Sequence, residues 1–182
     1  MRTWIILVCL VGVFGAQFQV LGINAQFYQT PNKVSYFINQ NYAYTWFEAL
    51  LECNNRNMTL LSLDDDTKLE DIFKITVKYR FAKKTPHLWT GGVGSNKKFI
   101  WFATGKPVVS SLWAPGNPDN SAGVENCVQI FENAKQLNDI KCTEKMGYVC
   151  EKLRTEDGAE QKQTAAGYDK YKGLVFNFNQ GK

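Results

Sequence analysis

Of the five cysteines in this chain, four (Cys53, Cys127, Cys142 and Cys150) lie beyond the first fifty residues, and they constrain the fold most. Their meaning depends on where the chain is made, and the N-terminus speaks to that. Met1-Arg2-Thr3 supplies a positive charge, Trp4 to Phe14 is almost entirely apolar, and small residues follow at Gly15, Ala16, Gly22 and Ala25. That is the pattern of a secretory leader. A membrane span needs about 20 apolar residues, more than this unbroken run offers. We place the leader at residues 1–25, with a second candidate cut after Gly15. Its removal takes Cys9 away and leaves an even set of cysteines. In an exported chain an even set points to two disulfides, and the spacing alone leaves three pairings open. A zinc site lacks ligands, because His87 is the single histidine and no Cys-x-x-Cys occurs.

The chain of 182 residues is long enough for one domain with a real core. A net charge of +4 says little about partners. Basic residues run no longer than Lys83-Lys84 or Lys97-Lys98, so no nucleic-acid surface is indicated. Residues 26–152 carry the globular texture, and residues 153–182 read as a polar, flexible tail. Lys33 to Ile38 reads as a strand. Thr45-Trp46-Phe47-Glu48 has capping-box spacing and opens a helix with Trp46, Leu50 and Cys53 on one face. Asp64-Asp65-Asp66 opens a second helix, whose apolar side is Leu69, Ile72, Phe73 and Val77. Strands follow at 88–93, 99–102, 127–131 and 147–151. Two helices followed by short strands make the class α+β. Residues 110–126 are rich in Gly, Pro, Asn and Ser, and a stretch that long without regular structure is usually functional. Trp46, Trp89, Trp101 and Trp113 read as core residues, since buried aromatics supply much of a small domain's burial energy.

The long loop holds Asn117-Pro118-Asp119, and Glu125 stands two residues before Cys127. Asn138-Asp139 stands just before Cys142. A Cys127–Cys142 bond would draw Asn117, Asp119, Glu125, Asn138 and Asp139 into one neighbourhood. Hard oxygen donors suit calcium, which takes six to eight oxygens, whereas imidazole or thiolate would suit zinc or copper. Packed carboxylates also repel one another without a cation. Each residue taken singly is an ordinary loop former; the set is what points to a metal.

The ordered series Trp46-x-x-Ala49 with Cys53, Trp89-x-Gly91, Asn117-Pro118-Asp119, Glu125-x-Cys127, Asn138-Asp139 and Cys150 resembles the C-type lectin-like domain over roughly residues 35 to 152. Short secreted insect lectins look closest. The resemblance implies the pairs Cys53–Cys150 and Cys127–Cys142. It implies a fold of two helices with small antiparallel sheets and a long calcium-binding loop. It implies a cis bond before Pro118, with one Ca2+ and two sugar hydroxyls held by Asn117, Asp119, Glu125, Asn138 and Asp139, the Asp139 carbonyl joining. Losing the metal or protonating the carboxylates would release the sugar. Asn117-Pro118-Asp119 keeps the amide-first order of galactose-type members, whereas mannose-type members carry Glu-Pro-Asn. Asn117 is one methylene shorter than the glutamine of that type, and residues 120–124 carry no aromatic. An auxiliary calcium site is not expected, since Gly94 to Lys98 has no carboxylate and Asn120 and Asn126 replace acids.

The expected partners are glycans on cell surfaces, microbes or glycoproteins, in an extracellular setting of innate recognition. Oligomers would supply avidity to a weak single site, although no heptads precede the domain to build a stalk. The alternative is a module of the same fold that binds protein or another non-sugar ligand without calcium. A hydrolase would have to use His87, which has no nucleophile motif nearby, or a carboxylate pair such as Asp119 and Glu125. No enzyme activity is expected. Asn57-Met58-Thr59 is an N-glycosylation sequon.

Overall fold

A computed structural model describes residues 25–79, 87–131 and 135–152. Residues 1–24, 80–86, 132–134 and 153–182 lie outside the described residues, and with them the expected leader and tail.

The element order is β1 (Ala25–Gln29), β2 (Ser35–Tyr44), α1 (Trp46–Asn54), β3 (Thr59–Leu60), α2 (Asp66–Lys78), β4 (Leu88–Ser95), β5 (Lys98–Trp101), β6 (Cys127–Phe131), β7 (Gln136–Ile140) and β8 (Met146–Glu151). The class is α+β, as the sequence implies. Strands run in the order β1-β2-β8-β4-β6-β7, with β3 on β8 and β5 on β4. Pairing is antiparallel except between β4 and β8, where Leu88 and Trp89 lie parallel to Gly147 and Tyr148. Neither β1 nor β7 is among the strands expected from the sequence. β1 begins at Ala25, the last residue of the expected leader, and pairs with β2 from Ala25↔Asn39 to Gln29↔Ser35.

Alternation along the strands sorts the core into two layers. Tyr36, Ile38, Leu88, Ile130 and Val149 face α2, with Ile72 and Ile75 packed on them. Phe37, Trp89, Tyr148 and Cys150 face α1, which contributes Trp46, Ala49, Leu50 and Cys53. The sheet is thus covered by one helix on each side. Burial of each such large side chain is worth about 1.5–3 kcal/mol. Both indoles at the centre keep their N–H groups satisfied. Trp46 donates to the Thr90 carbonyl and Trp89 to the Tyr44 carbonyl, each at 2.8 Å. Gly91 of the Trp89-x-Gly91 pattern has a packing reason, because a Cβ there would sit 2.9 Å from the Leu60 carbonyl oxygen.

The helices follow their local signals. Thr45 caps α1 in a reciprocal capping box with Glu48. At the far end Met58 N–H reaches the Cys53 carbonyl and Asn57 N–H the Asn54 carbonyl, both at 3.0 Å, with Asn57 at φ 54°. That is a Schellman stop with asparagine in the left-handed position. On α2 one expectation is corrected. Ile75 is buried and Val77 is 60% exposed, because Ile75 follows Ile72 by three residues and Val77 by five, which turns it off the core face. A buried Glu151 ties α2 to β8, paired with Lys68 at 2.7 Å and accepting the Ser62 N–H at 2.7 Å. The disulfides are Cys53–Cys150, joining α1 to β8, and Cys127–Cys142, joining β6 to the residues after β7. Of the tryptophans read as core, Trp46, Trp89 and Trp101 are buried, and Trp113 is half-buried against the α2-side layer.

Candidate metal and ligand site

Loop 113–126 is attached to the sheet at both ends. Trp113 bridges to Leu137 of β7, and Ala114 N–H donates to the Leu137 carbonyl at 2.9 Å. At the other end Gly94 N–H holds the Asn126 carbonyl at 2.9 Å, and Cys127 enters β6. Between these anchors Gly116 takes φ 90° and the Asn117–Pro118 peptide is cis, the bond form that proline makes accessible. The cis bond that the resemblance implied is therefore present.

Strand pairing does the gathering. Cys127 lies opposite Ile140, Val128 opposite Asp139 and Gln129 opposite Asn138. Glu125, just ahead of β6, is thereby brought alongside the end of β7. Carboxylate oxygens of Asp119, Glu125 and Asp139 lie within 4.8 Å of one another, the first exposed, the second half-buried and the third buried. It is the one such acidic or metal-ligating group among the described residues.

Asp139 is the organiser. Its Oδ1 accepts the Asp119 N–H at 3.0 Å and its Oδ2 the Asn120 N–H at 2.8 Å, so one side chain from β7 holds the turn after Pro118. The Ser121 N–H donates to Asp119 Oδ1 at 3.1 Å and Glu125 Oε2 at 2.9 Å. Asn120 Oδ1 accepts the Glu125 N–H at 3.1 Å. This part of the loop is tightly bent, with φ 50° at Asn120, 54° at Ala122 and 72° at Gly123. Nothing in the sequence marks the organising role of Asn120, because an isolated Asn in a polar loop has no distinguishing signal. The two amides stand next to members of the cluster along the chain. Asn117 precedes the cis bond, half-buried, and Asn138 donates its side-chain amide to the Asp139 carbonyl oxygen at 2.6 Å.

The electrostatics agree with a cation site. Burial comes first, and then the neighbouring Asp119 and Asp139, in pushing the Glu125 carboxyl above its ordinary value; the Ser121 amide opposes them. The donor set is all oxygen. Each carboxylate oxygen has two lone pairs, so the backbone bonds to Asp139 leave it capacity for a metal. These residues fit calcium. The Gly94–Lys98 segment is a plain hairpin turn, with Ser95 opposite Lys98 and positive φ at Asn96 and Lys97, and it offers no second carboxylate cluster. His87 lies elsewhere, its Nδ1 2.9 Å from Gln129 Oε1 and its ring against Phe131.

The chain as a whole is similar to several known proteins. Residues 42–152 match the family model described as the Lectin C-type domain. The chain is 32% identical over 137 residues to salivary C-type lectin 2 of Aedes albopictus, covering 70% of this chain and 83% of that protein. It is 32% identical over 125 residues to lectin subunit alpha of Sarcophaga peregrina, covering 64% of this chain and 44% of that longer protein. Among solved structures, the C-type carbohydrate-recognition domain of cow CD23, crystallised in the presence of a GlcNAc2Man3 oligosaccharide, superposes with a TM-score of 0.55. It is 27% identical, with 72% of this chain and 95% of that chain covered.

Proposed function

Because the chain belongs to the C-type lectin family, whose members generally bind carbohydrate, we propose that it is an extracellular, calcium-dependent glycan-binding protein that prefers galactose-type to mannose-type ligands. One observation carries the reading. Three carboxylates, Asp119 and Glu125 from the loop and Asp139 from β7, converge within 4.8 Å of one another. Asn117, Asp119, Glu125, Asn138 and Asp139 are the residues that would hold one calcium ion, with the Asp139 carbonyl beside them. Bound calcium supplies positive charge and open coordination positions for two vicinal sugar hydroxyls. Asp119 and Glu125 accept hydrogen bonds from those hydroxyls, and the amides of Asn117 and Asn138 donate to them. Asp139 keeps the loop in register. The galactose preference rests on the order amide-Pro-carboxylate at Asn117-Pro118-Asp119.

Export is supported by the leader-like residues 1–25, by the two disulfides and by likeness to a relative named as salivary. Within the proposal, residues 26–152 form the binding domain and 153–182 a tail. Among the described residues no helix is long and apolar enough to cross a membrane. The relatives named above are lectins, and this function requires no turnover.

The test is a glycan array probed with the refolded mature protein, in calcium and again in chelator. We expect galactose-type signals that vanish with chelator. Mannose-type signals would overturn the specificity. Equal signals under both conditions, or silence from a folded protein, would overturn the calcium-dependent site and favour a sugar-independent binding module.

A further inference from the structure

We propose that Asn57 carries an N-linked oligosaccharide, and that the chain acquires it before β3 and the Cys53–Cys150 disulfide form. Asn57-Met58-Thr59 is the sole Asn-x-Ser/Thr tripeptide in the 182 residues. The fold treats its three residues differently. Asn57 is exposed at the left-handed stop of α1, with its backbone N–H spent on the Asn54 carbonyl. Met58 is 1% exposed and Thr59 4%. Met58 N–H bonds the Cys53 carbonyl, and Thr59 lies opposite Glu151 in the β3–β8 pair.

A transferase reads such a tripeptide through both the acceptor amide and the hydroxyl residue two positions on. In the folded chain the amide is outside and the threonine inside, so the tripeptide cannot be gripped as a unit. The disulfide next to it, which joins residues separated by 97 positions, further pins it against β8. Transfer therefore belongs to the unfolded chain, and folding then leaves the glycan on the surface with nothing buried displaced. The reaction forms a bond from Asn57 Nδ2 to the anomeric carbon of a lipid-diphosphate-linked oligosaccharide. The bond from that carbon to the diphosphate oxygen breaks, the lipid diphosphate leaves, and one amide proton is released; nothing is oxidised or reduced. Neither α1 nor β3 contributes a residue to the acidic loop, so the modification is independent of the ligand reading and rests only on export.

The experiment expresses the full chain in insect cells with its own residues 1–25, and again with those residues exchanged for a leader of known efficiency. Digestion with an N-glycosidase and mass spectrometry should find one glycan, on the Asn57 peptide. It should be absent from Asn57→Asp, which tolerates the left-handed backbone, and retained in Thr59→Ser. An unmodified Asn57 in protein secreted behind either leader overturns the proposal. Modification only with the exchanged leader supports it and removes the assignment of residues 1–25. In a second arm, bacterial protein refolded with both disulfides is incubated with transferase and lipid-linked donor, beside the reduced, unfolded chain. Only the unfolded chain should accept sugar; equal rates in the two would overturn the order of events.

Discussion

Asp139 shows how much one buried side chain organises here. It is 0% exposed, and its two oxygens receive the backbone amides of Asp119 and Asn120. A hydrogen bond to a charged acceptor contributes about 1.5–3 kcal/mol. Asp139→Ala removes both bonds and one carboxylate of the cluster. It should therefore abolish calcium binding in titration calorimetry and speed hydrogen exchange at the Asp119 and Asn120 amides by at least about tenfold, the equivalent of 1.4 kcal/mol. Asp139→Asn keeps one acceptor oxygen and should protect one of the two amides. Equal protection of both amides in wild type and Asp139→Ala would remove the organising role. That role was half legible in the sequence. The Asn138-Asp139 pair is legible as a set of candidate metal ligands, but nothing in the order of residues says that the aspartate also holds a turn twenty positions earlier. That contact exists only because β7 runs antiparallel to β6.

Helix α1 is the element whose start is most legible in the sequence. Its capping box and its stop are local, made by residues within a few positions of the ends they cap. The contact that was not legible comes from far along the chain. Lys145 Nζ reaches Glu48 Oε2 at 2.5 Å. That bond first, and then the backbone and hydroxyl of Thr45, hold the Glu48 carboxyl down at about 2 against an ordinary 4.5. A carboxyl whose folded value is depressed adds stability that is complete above its unfolded value and is lost as pH falls towards the folded one. The advantage of wild type over Glu48→Gln in urea melts should therefore be constant above about pH 4.5 and shrink between 4.5 and about 2. The group is exposed, so the difference is small and should weaken further in high salt. A difference that grows on acidification would contradict the assignment. Strand β7 behaved in the opposite way. Gln136–Ile140 is polar and mixed, with a weak strand signal of its own, and it is a strand because β6 offers it partners from Cys127 to Phe131.

For the molecule as a whole, the two disulfides do different work. Cys127–Cys142 closes a separation of 15 residues and clamps the Glu125 side of the loop to the Asp139 side. Cys53–Cys150 spans 97 and joins α1 to the central strand β8. On the chain-entropy account, loops of these sizes are worth about 3 and about 4.7 kcal/mol. Cys127→Ala with Cys142→Ala should thus cost about 3 kcal/mol in denaturant melts and also lose the calcium-induced thermal shift. Cys53→Ala with Cys150→Ala should cost more stability yet leave that shift intact in the folded fraction. In wild type, calcium at a hundredfold over its dissociation constant should add about 2.7 kcal/mol, removable by chelator. A calcium shift that survives loss of Cys127–Cys142 would separate the metal site from the clamp.

The sequence alone determined what short-range chemistry can determine. The Thr45 capping box that opens α1, the acidic start of α2 and the inventory of oxygen donors are properties of residues within a few positions of one another, and they are legible in order and spacing. The family pattern added the cysteine pairs and the cis Asn117–Pro118 bond. Tertiary structure decided the rest. It paired β4 with β8 in parallel, turned Val77 outward, made β1 and β7 into strands and brought Asp119 within bonding distance of Asp139. Those outcomes depend on which distant segments meet in the sheet, and a polar strand or a ligand carboxylate has no local preference strong enough to announce its partner.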